Sequence, residues 1–186
     1  MRLTQLHSLP FLVACALVMA IIACDGTTPP PKVKPVTLPA DTFVEVQPME
    51  ARSILEAKRT ASAGQRVAII GRVGGSTSPI VSQRAVFTMV DASLKSCAEM
   101  GEDHCPTPAD YCCEERGSLA NAMASVSLVD ANGVPLAISL EAEGSIKPLM
   151  LLVVEGTLQP TSDHSFNIHA THLYKVPNDP LASKIK

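Results

Sequence analysis

Hydrophobic and polar positions divide the chain into four regimes. From Phe11 to Ala23 every residue is apolar, after a short start that carries Arg2. This run is too short for the roughly 20 apolar residues of a membrane-spanning helix and has the form of a cleavable export signal. Gly26 to Ala40 then holds Pro29, Pro30, Pro31, Pro35 and Pro39 among few large apolar side chains. Such a stretch cannot bury a core and favours an extended polyproline conformation of about 3.1 Å per residue. The segment PMEARSILEAKRTASA at 48–63 spaces Met49, Ile54, Leu55 and Ala61 as a modest stripe, with Glu50 early and Lys58 and Arg59 late. It predicts one helix on the outside of the domain, ended by Gly64.

Beyond Gly64 the period changes to two. Val67, Ile69 and Val73 share a face with Gly71; Phe87 and Met89 alternate with Val86, Thr88 and Val90; Ala124, Val126 and Leu128 alternate with Ser125 and Ser127. These are half-buried strands. Asn132-Gly133 precedes the alternating Val134, Leu136, Ile138 and Leu140, the strongest short hairpin signal. Leu149 to Val154 is continuously apolar and suits a central strand, Gly156 marks a bend or bulge, and Phe166 to Val176 supplies the last strand.

The apolar run ends in Ile21-Ile22-Ala23-Cys24, which resembles the lipobox of bacterial lipoproteins. That resemblance implies cleavage before Cys24 and a mature chain held in a membrane by acyl chains on it. Each buried methylene contributes about 0.8 kcal/mol, so two or more chains anchor firmly. The protein is therefore expected to be exported, lipid-anchored, and facing the periplasm or the cell exterior. The boundaries are a signal peptide at 1–23, a linker at 24–42, one domain at 43–178 with a cysteine-rich insertion at 93–118, and a tail at 179–186. A domain of about 140 residues is large enough for one sizeable core.

The strand order resembles an OB-fold. Carrying the resemblance are VAIIGRVGG at 67–75, SLVDANGVPLAISL at 127–140 and LLVVEGTLQPTSDHSFNIHATHLYKV at 151–176. The implied class is mainly β, a small Greek-key barrel with one N-terminal helix and the insertion. In such barrels ligands meet the loops after the first strand and before the last, here Gly74–Arg84 and Gln159–Ser165. The formal net charge is −3 and the chain has no tryptophan. Nucleic-acid binding, which needs a basic patch or aromatic stacking platforms, is not expected.

The insertion contains CAEMGEDHCPTPADYCC at 97–113. An even set of cysteines, Cys97, Cys105, Cys112 and Cys113, in an exported chain predicts two disulfides. Adjacent Cys112 and Cys113 would each pair with Cys97 or Cys105, in an order that remains open. The alternative is a zinc or copper site using the same four sulfurs with His104 or Met100. Against it stands the spacing: seven residues separate the first two cysteines and six the next, where zinc sites usually use two to four. A catalytic dithiol is not expected without Cys-x-x-Cys. The acids Glu99, Glu102, Asp103, Asp110, Glu114 and Glu115 read as a solvated loop surface.

Nothing else assembles an active site. His169 and His172, three apart on a strand, are expected on opposite faces. Asp163-His164-Ser165 is a chance triplet in a turn, with no Gly-x-Ser-x-Gly elbow in the chain. The expectation is a non-enzymatic binding or scaffolding module with a protein partner and no cofactor; the alternative is an envelope metal-binding protein.

Overall fold

Five apolar-patterned segments become one closed sheet. The computed structural model describes residues 36–100, 105–141, 146–161 and 165–181; the expected signal, Cys24 and most of the expected linker lie outside them. The elements are β1 (Arg52–Ser53), α1 (Ile54–Thr60), β2 (Arg66–Val73), β3 (Val86–Val90), two short 3₁₀ turns (Cys97–Glu99 and Pro108–Asp110), α2 (Arg116–Ala122), β4 (Met123–Ser127), β5 (Leu151–Leu158) and β6 (Asn167–Lys175). Five strands close in the order β2-β3-β4-β6-β5 and back to β2. All pairs are antiparallel except β4 with β6, where Ser125 to Ser127 run alongside Asn167 to His169. This is the OB-like barrel anticipated from the sequence. The short β1 adds to β2 in parallel.

The alternating apolar residues fill the barrel. Ile69, Phe87, Met89, Val126, Leu152, Val154, Ile168 and Leu173 are all buried in a single cluster. Each contributes about 1.5–3 kcal/mol relative to exposure.

Four features depart from the expectations. The helix is seven residues, not sixteen, because Arg52 and Ser53 are already committed to pairing with Ile69 and Ile70. Ser53 then caps it, accepting from the Glu56 N–H at 3.1 Å. The Asn132-Gly133 turn forms, with Gly133 at φ 77°, a backbone region open to glycine. The hairpin beyond it is only a bridge between Val129 and Pro135, since proline has no N–H to extend the ladder. Helix α2 has no counterpart in the strand-dominated reading. The fourth departure concerns His169 and His172. The register between β5 and β6 shifts at Glu155/Gly156, leaving Thr171 without a partner across the ladder. That bulge resets the alternation: Ala170 and Leu173 are both buried, and both histidines lie on the outer side, where His172 Nδ1 is 3.1 Å from Glu155 Oε2.

The tail at 179–186 begins inside the fold. Asp179 and Leu181 are buried. Arg72 Nη1 donates to Asp179 Oδ2 and to the Leu149 carbonyl, each at 2.7 Å. At the other end Leu38, from the expected linker, packs on the core.

Candidate metal centre

The insertion leaves the barrel at Val90 and returns at Met123, between the second and third barrel strands. Asp91 holds its first corner, accepting at 3.0 Å from the Leu55 N–H of α1 and from the Ser93 N–H. Glu99 folds back to accept from the Ser96 N–H and hydroxyl, both at 2.8 Å, and this fixes the turn that carries Cys97. Cys97 is 1% exposed.

The second turn begins with Pro108, whose fixed φ suits that position. It ends at Tyr111, which is left-handed at φ 57°. The reversal sends Cys112 and Cys113 back toward Cys97. Asp110 locks it: Oδ2 accepts from the Thr107 hydroxyl at 2.8 Å and Oδ1 from the Cys112 N–H at 3.0 Å. The buried Tyr111 ring packs on Gly74 at the end of β2, where a Cβ would stand 2.7 Å from the ring. Gly75 N–H donates to the Ala109 carbonyl at 2.8 Å. Tyr111, Val90 and Ala122 form a small second core with Leu55, Leu94, Leu119 and Met123 around it. The start of the loop Gly74–Arg84 is therefore covered by the insertion; residues 162–164 of the other barrel-end loop lie outside the described residues.

These turns converge four sulfurs. Cys97 and Cys112 are 3.5 Å apart, Cys105 and Cys112 3.7 Å, Cys97 and Cys113 3.8 Å, and Cys112 and Cys113 3.9 Å. Asp110 Oδ1 lies 3.9 Å from Cys97 Sγ, and one ligand atom each from Cys97, Cys105, Asp110 and Cys112 falls within a 4.8 Å span. Two disulfides are not what the structure contains: these separations are far from the bonded distance of about 2.05 Å. Cys112 is within 4 Å of all three other sulfurs.

The thiols are not equivalent. The Thr107 N–H holds Cys105 below its ordinary value, whereas Cys112 is pushed well up by its hydrogen bonds with Cys97 and then Cys105. Tyr111 is kept neutral, burial outweighing the attraction of Arg72, and its buried hydroxyl has no hydrogen-bond partner among the described residues.

A spacing of two to four residues describes tight local knuckles. Here two separate turns deliver the sulfurs. Asp110 belongs to the acidic run expected on a solvated surface, yet Asp110, Glu99, Glu114 and Glu115 all accept backbone N–H groups within the insertion. Pro108 followed by an acid two residues later was the local signal of a turn. Of the remaining candidates, Met100 is 40% exposed, and His104, Glu102 and Asp103 lie outside the described residues. Among the described residues, no other group of three or more His, Cys, Asp or Glu side chains converges as these do.

No protein-family model matches the chain, and neither does any curated protein. Among solved structures it is similar to an OBody bound to hen egg-white lysozyme, with 12% sequence identity over 73% of this chain and 100% of that chain, at a TM-score of 0.39.

Proposed function

We propose that this chain is an exported, lipid-anchored, non-enzymatic binding module whose contact loop is organised by a four-thiolate zinc centre on Cys97, Cys105, Cys112 and Cys113. One observation carries the metal: four of the six sulfur pairs stand 3.5–3.9 Å apart. Four sulfurs placed tetrahedrally about 2.3 Å from a zinc ion are about 3.8 Å from one another. An all-sulfur tetrahedron favours zinc over copper, and exposed Met100 adds nothing to a cuprous site. Four protein ligands leave no open position for a substrate or water, so the centre is structural rather than catalytic.

The need for such a centre follows from the insertion's poverty in apolar side chains. Its buried apolar residues among those described are Cys97, Ala109, Tyr111 and Ala122, too few to order a loop of this length, and metal binding would supply folding free energy directly. The lipid on Cys24 and the proline-rich linker would hold the module at the membrane with reach, leaving the insertion and barrel loops to meet a protein partner.

The test is metal analysis of the full-length chain, purified in detergent under reducing conditions, with cobalt(II) as a spectroscopic probe. The expected result is one equivalent of metal, tetrahedral thiolate-cobalt absorption, and loss of both in Cys97→Ser. Thiols fully alkylatable regardless of zinc would overturn the reading.

A further inference from the structure

We infer that the cluster is a redox-convertible site: the same four sulfurs hold zinc when reduced and, on meeting a disulfide-bearing oxidant, release it and close as Cys97–Cys113 and Cys105–Cys112. The inference rests on the zinc reading above and concerns how that centre is regulated.

Geometry makes the conversion local. Cys97 and Cys113 are 3.8 Å apart and Cys105 and Cys112 3.7 Å. Each pair needs to approach by less than 2 Å to reach the bonded distance of about 2.05 Å. The competing pair, Cys112 with Cys113, is blocked by the backbone. Consecutive α-carbons across a trans peptide are about 3.8 Å apart, below the roughly 4.4 Å at which disulfides begin. Cys97 with Cys113 and Cys105 with Cys112 together use all four sulfurs through two contacts under 4 Å.

Access is asymmetric in the way the reaction needs. Cys112 and Cys113 are exposed, Cys105 is half-buried and Cys97 is buried. An oxidant therefore meets an exposed sulfur first, and a resolving sulfur lies behind each. The Cys112 thiolate attacks one sulfur of a disulfide R–S–S–R, forming a mixed disulfide and expelling R–S⁻ with the electron pair of the broken bond. Cys105 then attacks the Cys112 sulfur and expels the second R–S⁻. Cys113 and Cys97 repeat the sequence with a second oxidant molecule. Four cysteine thiolates are oxidised to two disulfides, two oxidant disulfides are reduced to four thiolates, and the zinc ion, stripped of its ligands, leaves with its charge unchanged. A peroxide is not required, and an exported protein meets disulfide oxidants where structural disulfides are made.

Zinc-loaded full-length chain in detergent, treated with oxidised glutathione, tests this. A metallochromic dye follows zinc, and non-reducing peptide mapping follows the bonds. Release of one zinc per two disulfides formed, with Cys97 linked to Cys113 and Cys105 to Cys112, supports the inference. Zinc retained under oxidant, other pairings, or only chains cross-linked to one another would overturn it while leaving the zinc reading intact. A reduced chain that never holds zinc would sink both. Cys113→Ser provides the internal control: Cys105–Cys112 still forms, and Cys97 is recovered as a thiol or a glutathione adduct.

Discussion

Arg72 joins three parts of the fold, and its removal should cost far more than loss of a surface charge. The guanidinium is buried. Nη1 donates to Asp179 Oδ2 and to the Leu149 carbonyl at 2.7 Å each, and Nε lies 4.0 Å from Glu99 Oε2 in the insertion. In Arg72→Met the Asp179 carboxylate, 2% exposed, keeps backbone N–H bonds from Leu181, at 3.3 Å, and from Leu151, but loses its positive partner. Removing one partner of such a pair costs about 3–5 kcal/mol, most of it from the charge left buried. For a domain of this size that lowers Tm by roughly 10–20 °C. Urea and thermal unfolding measure it, at fixed zinc concentration, because a ligand of the folded state raises apparent stability. Asp179→Leu combined with Arg72→Met removes both charges and should cost less than the two single changes together, by about 0.5–3 kcal/mol. The pH dependence has a definite sign. Burial opposes the charge on Asp179, but the Arg72 hydrogen bond and the Leu181 N–H outweigh it, so its carboxyl titrates below the usual range. A depressed carboxylate stabilises above its unfolded pKa of about 3.9 and loses that contribution as pH falls through the folded value. Arg72→Met should therefore flatten the acid limb of the stability curve. A loss below about 1 kcal/mol, the range of exposed pairs, with an unchanged acid limb would refute the reasoning.

Asp110→Ala removes the acceptor of the Cys112 N–H and the Thr107 hydroxyl; competition titration should find zinc affinity lower by about 10–100-fold, the usual cost of losing a ligand's support. Gly74→Ala drives a methyl into the Tyr111 ring and the Ala109 carbonyl, and chemical denaturation should give a loss of about 1–3 kcal/mol. Ser53→Ala deletes the cap on the Glu56 N–H and should cost about 1 kcal/mol, read by the same method. Asp91 titrates low because the Leu55 and Ser93 N–H groups outweigh its burial. Its contribution is present above about pH 4 and fades as pH falls through the folded value, so Asp91→Asn should lower stability at pH 7 and show a shallower acid limb.

What could be read along the chain is what depends on near neighbours. A period of two assigns residues to sheet faces wherever the strand is regular, so Val67, Ile69, Phe87, Met89, Ala124 and Val126 were placed correctly before any pairing was known. The barrel class followed from the order of those segments. The resemblance of Ile21-Ile22-Ala23-Cys24 to a lipobox and the proline-rich stretch at 26–40 are contiguous patterns, legible as expectations without a fold. Asn132-Gly133 as a turn is equally local in origin.

The remainder required distant segments to meet. Arg72 and Asp179 are 107 positions apart, and no spacing rule links them. One extra residue at Thr171 moved His172 to the face of His169, because a period of two inverts with every insertion. The four cysteines were visible as a set, but whether they form two pairs or one cluster depends on where the turns at Cys97–Glu99 and Pro108–Asp110 deliver them. A left-handed Tyr111 and its packing on Gly74 decide that, and both are consequences of the barrel beneath the loop. Local periodicity encodes which way a side chain faces; only chain closure through long-range packing encodes which side chain it faces.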